Sequence, residues 1–353
     1  MACARLARVY SVCGKIMKIL SPCIAALLLS CAAAFAQDAP LPKPVAFTAH
    51  LQSITAALEK PDEELDLGEF ILTLQRMIDP SIDVPGNLKR LDRMATEINA
   101  TLPLMANSRV KVEALRKYLY MAGPWNDNRP FRYDLEDPLG KNLRNKLLSS
   151  YLDSRKGNCV SMPSLFVVLG QRIGLDVTLA TVPRHIFVKY RDEGGQLYNI
   201  EATSGGGFAR DVWMRQLYVM TDLSLRTGIY MRPLSKKEAA VEMVDTLLEF
   251  YAANGVLQPR VDLALLLLAH APKHVNGMLH LAAAYGWMAE VSYMLDYNSP
   301  DPRMPLKERL KYRELSRQVM EWEQRARALG WRPMDPEAES TYLRRVDDAK
   351  KPL

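Results

Sequence analysis

Apolar residues recur at helical spacing along the first part of the chain. Two stripes each mark one face of a predicted helix: Leu67, Phe70, Leu74 and Met77, then Leu88, Leu91, Met94 and Ile98. Packing against a core accounts for both stripes, so we expect an N-terminal helical part over residues 47–125. Helix-breaking residues follow, at Gly123-Pro124 and Asp137-Pro138, and predict a loop over 122–138.

The pattern changes in the centre of the chain. The apolar run Leu165–Leu169 predicts a helix that ends near Gly174, and three β-rich segments follow at Val177–Val182, Ile186–Tyr190 and Leu197–Glu201. Asp192-Glu193-Gly194-Gly195 supplies a hairpin turn between the last two segments. A helix followed by antiparallel strands indicates an α+β core, which we place at residues 126–234.

Helical periodicity returns from Ser235, which forms a predicted capping box with Glu238. Val241, Val244, Leu248 and Tyr251 continue as one stripe, and further helices are predicted over 263–270, 277–287 and 309–329. We therefore expect a helical region over residues 235–330 and a charged, polar tail over 331–353.

The first 36 residues have the organisation of a signal peptide. Lys15 and Lys18 precede the apolar run Ile19–Leu29, and Ala34-Phe35-Ala36 fits the small-x-small cleavage rule. This predicts export, to the periplasm or outside the cell, with a proline-rich linker over 37–46. The alternative is a lipoprotein anchored through Cys31, because Leu28-Leu29-Ser30-Cys31 resembles a lipobox. Beyond residue 36 the sequence contains no apolar run near membrane-spanning length, so we expect no span in the mature chain.

Removing residues 1–36 changes the charge and the cysteine count. The segment contains four basic residues and no acidic one, so Lys plus Arg falls from 46 to 42 against 40 acidic residues and the net charge falls from +6 to +2. That charge leaves no basic footprint for nucleic acid. Cys159 is the cysteine that remains, since the other four lie at positions 3, 13, 23 and 31. An unpaired thiol in an oxidising compartment is a liability unless it is buried or used.

Cys159 lies at a position where its thiol could act as a nucleophile. Asn158 is a suitable helix cap and Pro163 is acceptable in a first turn, so the cysteine lies near a helix N-terminus, where the dipole favours the thiolate. A small buried hydrophobe is the alternative for this position. His185, at the start of a predicted strand, could serve as its base. Asn199 and Glu201 share one face of the next strand, and either could orient the imidazole; we select Glu201.

Other candidate sites carry weaker signals. His270, His274 and His280 lie across a predicted helix break without a cysteine or acidic cluster, so we expect no metal site and no cofactor. Ser204-Gly205-Gly206-Gly207 lacks the Lys-Ser/Thr of a phosphate loop, and we expect a flexible lip beside the active site.

Several motifs resemble a known family, and they are listed here in chain order: Arg155-Lys156-Gly157-Asn158-Cys159-Val160-Ser161, Gly174-Leu175, Pro183-Arg184-His185-Ile186-Phe187-Val188 and Glu201-Ala202-Thr203. They resemble the transglutaminase-like core, and most closely its bacterial SirB-type branch. Residues 235–296 resemble, more loosely, that branch's tetratricopeptide-like helices. The resemblance implies a papain-like α+β fold with Cys159 as nucleophile, His185 as base and Glu201 as orienting acid. The superfamily's usual acid is an aspartate followed by Pro-Thr, where this chain has Glu201-Ala202-Thr203.

These observations predict an exported thiol enzyme of the acyl-transfer type. We expect a peptide or protein substrate, with envelope-associated substrates included, and hydrolysis in preference to transamidation, because nothing in the sequence marks a second amine-binding pocket. The alternative is a catalytically silent transglutaminase-like domain that acts as a protein-binding module.

Overall fold

The computed structural model describes residues 44–294 and 305–333, together with residues 337, 340 and 344. The predicted signal peptide with Cys31, and most of the predicted tail over 331–353, lie outside the described residues. The first described helix, α1, spans Pro44–Glu59. Residues 44–46, which the sequence assigned to the linker, are therefore helical. Proline suits this position because the first amide groups of a helix have no intrahelical partner.

The structure confirms the α+β class, since helices surround an antiparallel sheet. The helices after α1 are α2 (Leu67–Gln75), α3 (Val84–Asn99), α4 (Ser108–Tyr120), α5 (Leu148–Ser154), α6 (Ser161–Arg172), α7 (Asp211–Leu217), α8 (Asp222–Thr227), α9 (Lys236–Ala253), α10 (Leu257–His270), α11 (Val275–Met294) and α12 (Leu306–Ala328). The strands are β1 (Arg132–Tyr133), β2 (Lys156–Gly157), β3 (Asp176–Val182), β4 (His185–Arg191), β5 (Leu197–Glu201) and β6 (Gly207–Ala209).

Two compact units divide the chain, and their boundary falls inside α9, between Leu247 and Leu248. In the N-terminal unit α6 is the central helix. Every residue from Ser161 to Gly170 is buried, because α6 packs against α2, α3, α4, α5 and strand β3. A helix that is apolar all round is what such a position requires. Gly174 follows the helix in the left-handed region, at φ 73°. This conformation allows the Leu175 N–H to donate to the Gly170 carbonyl.

The sheet beside α6 has the strand order β3-β4-β5-β6, with each neighbouring pair antiparallel. The three predicted strands are observed, and β6 is an additional edge strand that the sequence analysis missed. The hairpin between β3 and β4 pairs Val182 with His185, so the two residues between them make the turn. One of these, Arg184, has φ 58°, which is uncommon for a residue other than glycine. The turn places His185 at the first position of β4.

The C-terminal unit is helical over its described residues. The helix α11 packs against both α10 and α12, and a cluster of Ala282, Ala283 and Val319 lies between α11 and α12. The predicted capping box at the start of α9 is observed: Glu238 N–H donates to Ser235 Oγ and Ser235 N–H donates to Glu238 Oε2. Among the described residues, no helix combines the length and the apolar character needed to cross a membrane.

Candidate active site

Cys159 lies in the turn that joins β2 to α6, two residues before the helix begins. Asn158 is predicted to be the helix cap, but in the structure it caps the turn that precedes the helix. Its side-chain oxygen accepts from Val160 N–H at 2.9 Å, and its carbonyl accepts from Met162 N–H at 3.0 Å. Asn158 therefore closes the turn that contains the cysteine, while Val160 takes the N-cap position. The Cys159 residue is partly exposed, as a nucleophile must be.

Ser161, which the sequence analysis did not single out, stabilises this turn from below. Its hydroxyl donates to the Asn145 carbonyl at 2.6 Å and accepts from Asn158 N–H at 3.2 Å, and the residue is fully buried. Gly157, which has no side chain, leaves space for the Ser161 hydroxyl. A Cβ at that position would overlap the Ser161 hydroxyl and lie 2.6 Å from a ring carbon of Tyr151. The position of Cys159 thus depends on close packing immediately before and after it.

His185 and Glu201 form a buried pair across neighbouring strands. The imidazole Nε2 lies 2.8 Å from Glu201 Oε2, and the two side chains are 10% and 6% exposed. The other carboxylate oxygen of Glu201 accepts from the amide and the hydroxyl of Thr203, at 3.1 and 2.6 Å. Both oxygens are therefore fixed. The side chain of Glu201, longer than the aspartate usual in the superfamily that the motifs resemble, reaches the imidazole.

The imidazole also makes a hydrogen bond with the Cys159 side chain. Because Nε2 is engaged by Glu201, Nδ1 is the ring nitrogen that remains for the sulfur. Burial opposes protonation of His185, but the negative charge of Glu201 and the hydrogen bonds to Cys159 and Glu201 outweigh it and raise the pKa of His185 to about 10. Burial likewise opposes ionisation of Glu201, and the charge of His185 with the hydrogen bonds from His185 and Thr203 lowers the pKa of Glu201 nonetheless. The arrangement favours an imidazolium–carboxylate pair beside the sulfur.

Asn199, the alternative orienting residue, is placed elsewhere. Its amide nitrogen donates to the Ala209 carbonyl at 3.0 Å and to Asp211 Oδ1 at 2.6 Å, and the residue is buried. Lys189, its partner in the β4–β5 register, lies 3.7 Å from the same Asp211 oxygen. The structure thus brings Cys159, His185 and Glu201 together, and it directs Asn199 toward the start of α7.

Two tyrosines complete the surroundings of the pair, and both escaped the sequence analysis. The ring of Tyr218 stacks on the His185 imidazole with centroids 5.0 Å apart and planes 12° from parallel. Tyr120, the last residue of α4, has a buried hydroxyl without a hydrogen-bond partner among the described residues, and burial with the charge of Glu201 raises its pKa. Neither residue belongs to a recognisable motif, so only the folded chain identifies them.

The glycine-rich segment after β5 differs from the expected flexible lip. Residues 202–204 form a 3₁₀ turn, Gly205 and Gly206 adopt left-handed conformations at φ 71° and 69°, and Gly207 begins β6. Gly206 is packed closely, since a Cβ there would lie 2.9 Å from Arg116 Cγ. The glycines are needed for a tight turn that brings β6 back beside β5.

The histidines of the C-terminal unit take part in local hydrogen bonds. His280 Nδ1 accepts from the Arg260 guanidinium at 3.0 and 2.7 Å, and both residues are buried. His274 Nδ1 accepts from Gly277 N–H at 3.1 Å, which caps the first turn of α11. These contacts give two of the three histidines a structural role.

Comparison with known proteins gives a family match for the central part of the chain. Residues 87–244 match the family model described as the transglutaminase-like superfamily. The chain therefore contains a transglutaminase-like domain, which begins in α3 and ends in α9, and so includes helices that the sequence analysis had placed before the core. No curated protein matched the chain, and no solved structure did.

Proposed function

We propose that this protein is an exported thiol enzyme of the acyl-transfer type, with Cys159 as nucleophile, His185 as base and Glu201 as the acid that orients His185. The observation that carries the proposal is the imidazole hydrogen-bonded on one side to Cys159 and on the other to Glu201. Nucleophile, base and orienting group in one chain of contacts are the recurrent arrangement of covalent acyl transfer. The transglutaminase-like match over residues 87–244 supports the same chemistry.

The proposed reaction has two half-reactions. The sulfur of Cys159 attacks an amide carbonyl and its proton resides on His185, which then donates that proton to the departing amine as the C–N bond breaks. A thioester remains on Cys159. His185, neutral again, takes a proton from an attacking water, and the C–S bond breaks to release a carboxylic acid. Glu201 stabilises the imidazolium in both half-reactions, and backbone N–H groups at the start of α6 are the candidates to bind the developing oxyanion.

We favour hydrolysis over transamidation, and a peptide or protein as substrate. Cys159 is partly exposed and can receive a carbonyl carbon. A transamidase also needs a second position for an amine, and nothing in the sequence marks one. We also assign the chain to the SirB-type branch, with α10 and α11 as its tetratricopeptide-like hairpin. What supports this is the set of motifs around Cys159 and His185 and the packing of α10 on α11.

Alkylation of Cys159 by iodoacetamide, measured from pH 5 to pH 9, tests the proposal. We expect the wild type to react near neutral pH at least about tenfold faster than a simple thiol, because His185 is hydrogen-bonded to Cys159 and can accept its proton. His185→Gln should abolish that advantage and Cys159→Ala should abolish labelling. Glu201→Gln should slow labelling near neutral pH more than Asn199→Ala does.

Substrate profiling of the wild type against Cys159→Ala, on a peptide library, provides the second measurement. A product released only by the wild type would identify the bond that is cleaved. A Cys159 that reacts no faster than a simple thiol, together with an identical product profile for the two proteins, would contradict the enzyme. That pair of results would leave the transglutaminase-like domain as a protein-binding module.

A further inference from the structure

Tyr218 makes the most direct contact with the site that the proposed mechanism does not use. Its ring lies nearly parallel to the His185 imidazole, with centroids 5.0 Å apart. A stacked pair at this separation is attractive, and the attraction increases when the imidazole carries a positive charge. The side chains of His185 and Glu201 are 10% and 6% exposed.

The helix α7 determines where that ring lies. Tyr218 is the C-cap of α7, and its N–H donates to the Met214 carbonyl at 2.9 Å. Met214 is the buried residue of α7, and it packs in a cluster with Ala180, Val182 and Phe187 that also touches Tyr218. The rest of α7 is largely exposed, so the helix is positioned by few contacts.

The first residue of α7 is held by a buried polar pair. Asp211 Oδ1 accepts from Asn199 Nδ2 at 2.6 Å and lies 3.7 Å from Lys189 Nζ. Asn199 and Lys189 are both buried, and they face each other in the β4–β5 register. The sheet that carries His185 and Glu201 thereby also fixes the start of the helix that carries Tyr218.

We propose that Tyr218 is a positioning residue of this active site, and that Asn199 acts on His185 through α7 and Tyr218. The ring covers one face of the imidazole and holds it in the plane that joins Cys159 to Glu201. This inference rests on the proposed function for its catalytic consequence. It also reassigns Asn199: the residue that the sequence offered as a direct partner of His185 serves to anchor the helix that covers it.

The test compares Tyr218→Phe, Tyr218→Leu and Asn199→Ala with the wild type. Two quantities are measured on the full chain: the titration midpoint of the His185 imidazole by NMR, assigned with His185→Gln, and the pH profile of Cys159 alkylation. Tyr218→Phe keeps the ring and should leave both unchanged. Tyr218→Leu should lower the His185 midpoint and slow alkylation at pH 7 by about fivefold, the size of one aromatic contact. Tyr198→Leu removes a ring stacked on Tyr190 in the same sheet, and is the control expected to change neither quantity.

The double variant of Tyr218→Leu with Asn199→Ala tests the route of the effect. If Asn199 acts through Tyr218, the double variant should match Tyr218→Leu, whereas a direct action on His185 would make the two losses add. Asn199→Ala alone keeps the ring in the chain and should lower the His185 midpoint less than Tyr218→Leu does, so an unchanged midpoint in Asn199→Ala would contradict the role of Asn199 even if Tyr218→Leu fails to fold. An unchanged His185 midpoint in the folded variants, or additive losses, would overturn the inference. A slow wild-type Cys159 would instead refute the proposed enzyme, and the His185 titration would still decide the role of Tyr218.

Discussion

The carboxylate of Glu201 receives hydrogen bonds from two sides, from the His185 imidazole on one oxygen and from Thr203 on the other. This explains how Glu201-Ala202-Thr203 can take the place of the aspartate that is usual in the superfamily that the motifs resemble. Glutamate carries one more methylene group, and the threonine that follows keeps its carboxylate from rotating. At the scale of single residues, the geometry of the site depends on the hydrogen bonds that fix both carboxylate oxygens of Glu201.

The pH dependence of stability should report this pair. The pKa of His185 rises to about 10, so its contribution to stability is complete below its ordinary value near 6.5 and is lost as the pH rises toward 10. The pKa of Glu201 is lowered, so its contribution is present above its ordinary value near 4.3 and is lost as the pH falls below it. The pair should therefore stabilise the fold most between about pH 5 and pH 6.5.

We expect Glu201→Gln to cost about 3 kcal/mol near pH 6, because it removes one partner of a buried pair, and to cost less at pH 10. Thermal unfolding of the two proteins across this pH range measures the difference. Glu113→Gln is the matched control, since Glu113 pairs with Arg116 at the surface and should cost less than about 1 kcal/mol. A cost for Glu201→Gln that stays constant up to pH 10 would show that His185 is not protonated in the folded protein.

At the scale of elements, the turn from β2 to α6 is the feature that positions Cys159, the proposed nucleophile. The turn is closed by Asn158, supported by the Ser161 hydroxyl, and preceded by a glycine with no room for a side chain. The helix that follows is buried along its first ten residues. A rigid helix and a tightly packed turn are what a nucleophile needs in order to meet its base at a fixed distance.

Gly157→Ala tests that packing. The added methyl group would overlap Ser161 and the ring of Tyr151, both fully buried, so we expect a loss of roughly 1 to 3 kcal/mol in unfolding free energy. Gly207→Ala is a suitable control, because the nearest atom to its Cβ is the Ser204 carbonyl oxygen at 3.8 Å. Urea denaturation of both variants measures the contrast. Equal stability of the two variants would mean that the turn at Cys159 accommodates a methyl group at position 157.

At the scale of the whole molecule, the chain divides into a unit that contains the site and a second unit that spans Leu248–Pro333 and is helical over its described residues. The proposed export changes the composition of the whole chain, because cleavage of the signal peptide removes residues 1–36 and four of the five cysteines. With residues 1–36 removed, the net charge is +2 and Cys159 is the single thiol. With one thiol the mature chain cannot form an intramolecular disulfide, so Cys159 must be buried or used in an oxidising compartment.

Analysis of the protein purified from the producing cell checks this proposal. We expect N-terminal sequencing to begin at Gln37, and thiol titration of the denatured chain to find one sulfhydryl group per molecule. Cys31→Ser should leave the processed protein unchanged, since that cysteine lies in the segment that is removed. A lipid-modified N-terminus at Cys31, or an intact chain with five cysteines, would contradict cleavage after Ala36.

Much of the architecture could be predicted from the sequence because hydrophobic periodicity is a local property. The buried α6, the three strands β3–β5 and the capping box of Ser235 with Glu238 all follow from residues close together in the chain. The order of Cys159 before a helix and His185 at a strand start is equally local. Such patterns indicate which side of each element faces the core, and they can be interpreted without knowing which elements lie beside it.

Tertiary structure alone decided which groups meet at the imidazole. Asn199 and Glu201 are two residues apart on one strand, so periodicity cannot distinguish them; Asn199 is drawn to Asp211 by the pairing of β5 with β6 and the start of α7. Tyr218 comes from a short, exposed helix with no motif, and only the packing of Met214 brings its ring to His185. These contacts join residues on different elements, and their positions depend on the simultaneous placement of those elements. That dependence is the physical reason why the sequence could nominate the site but could not specify its surroundings.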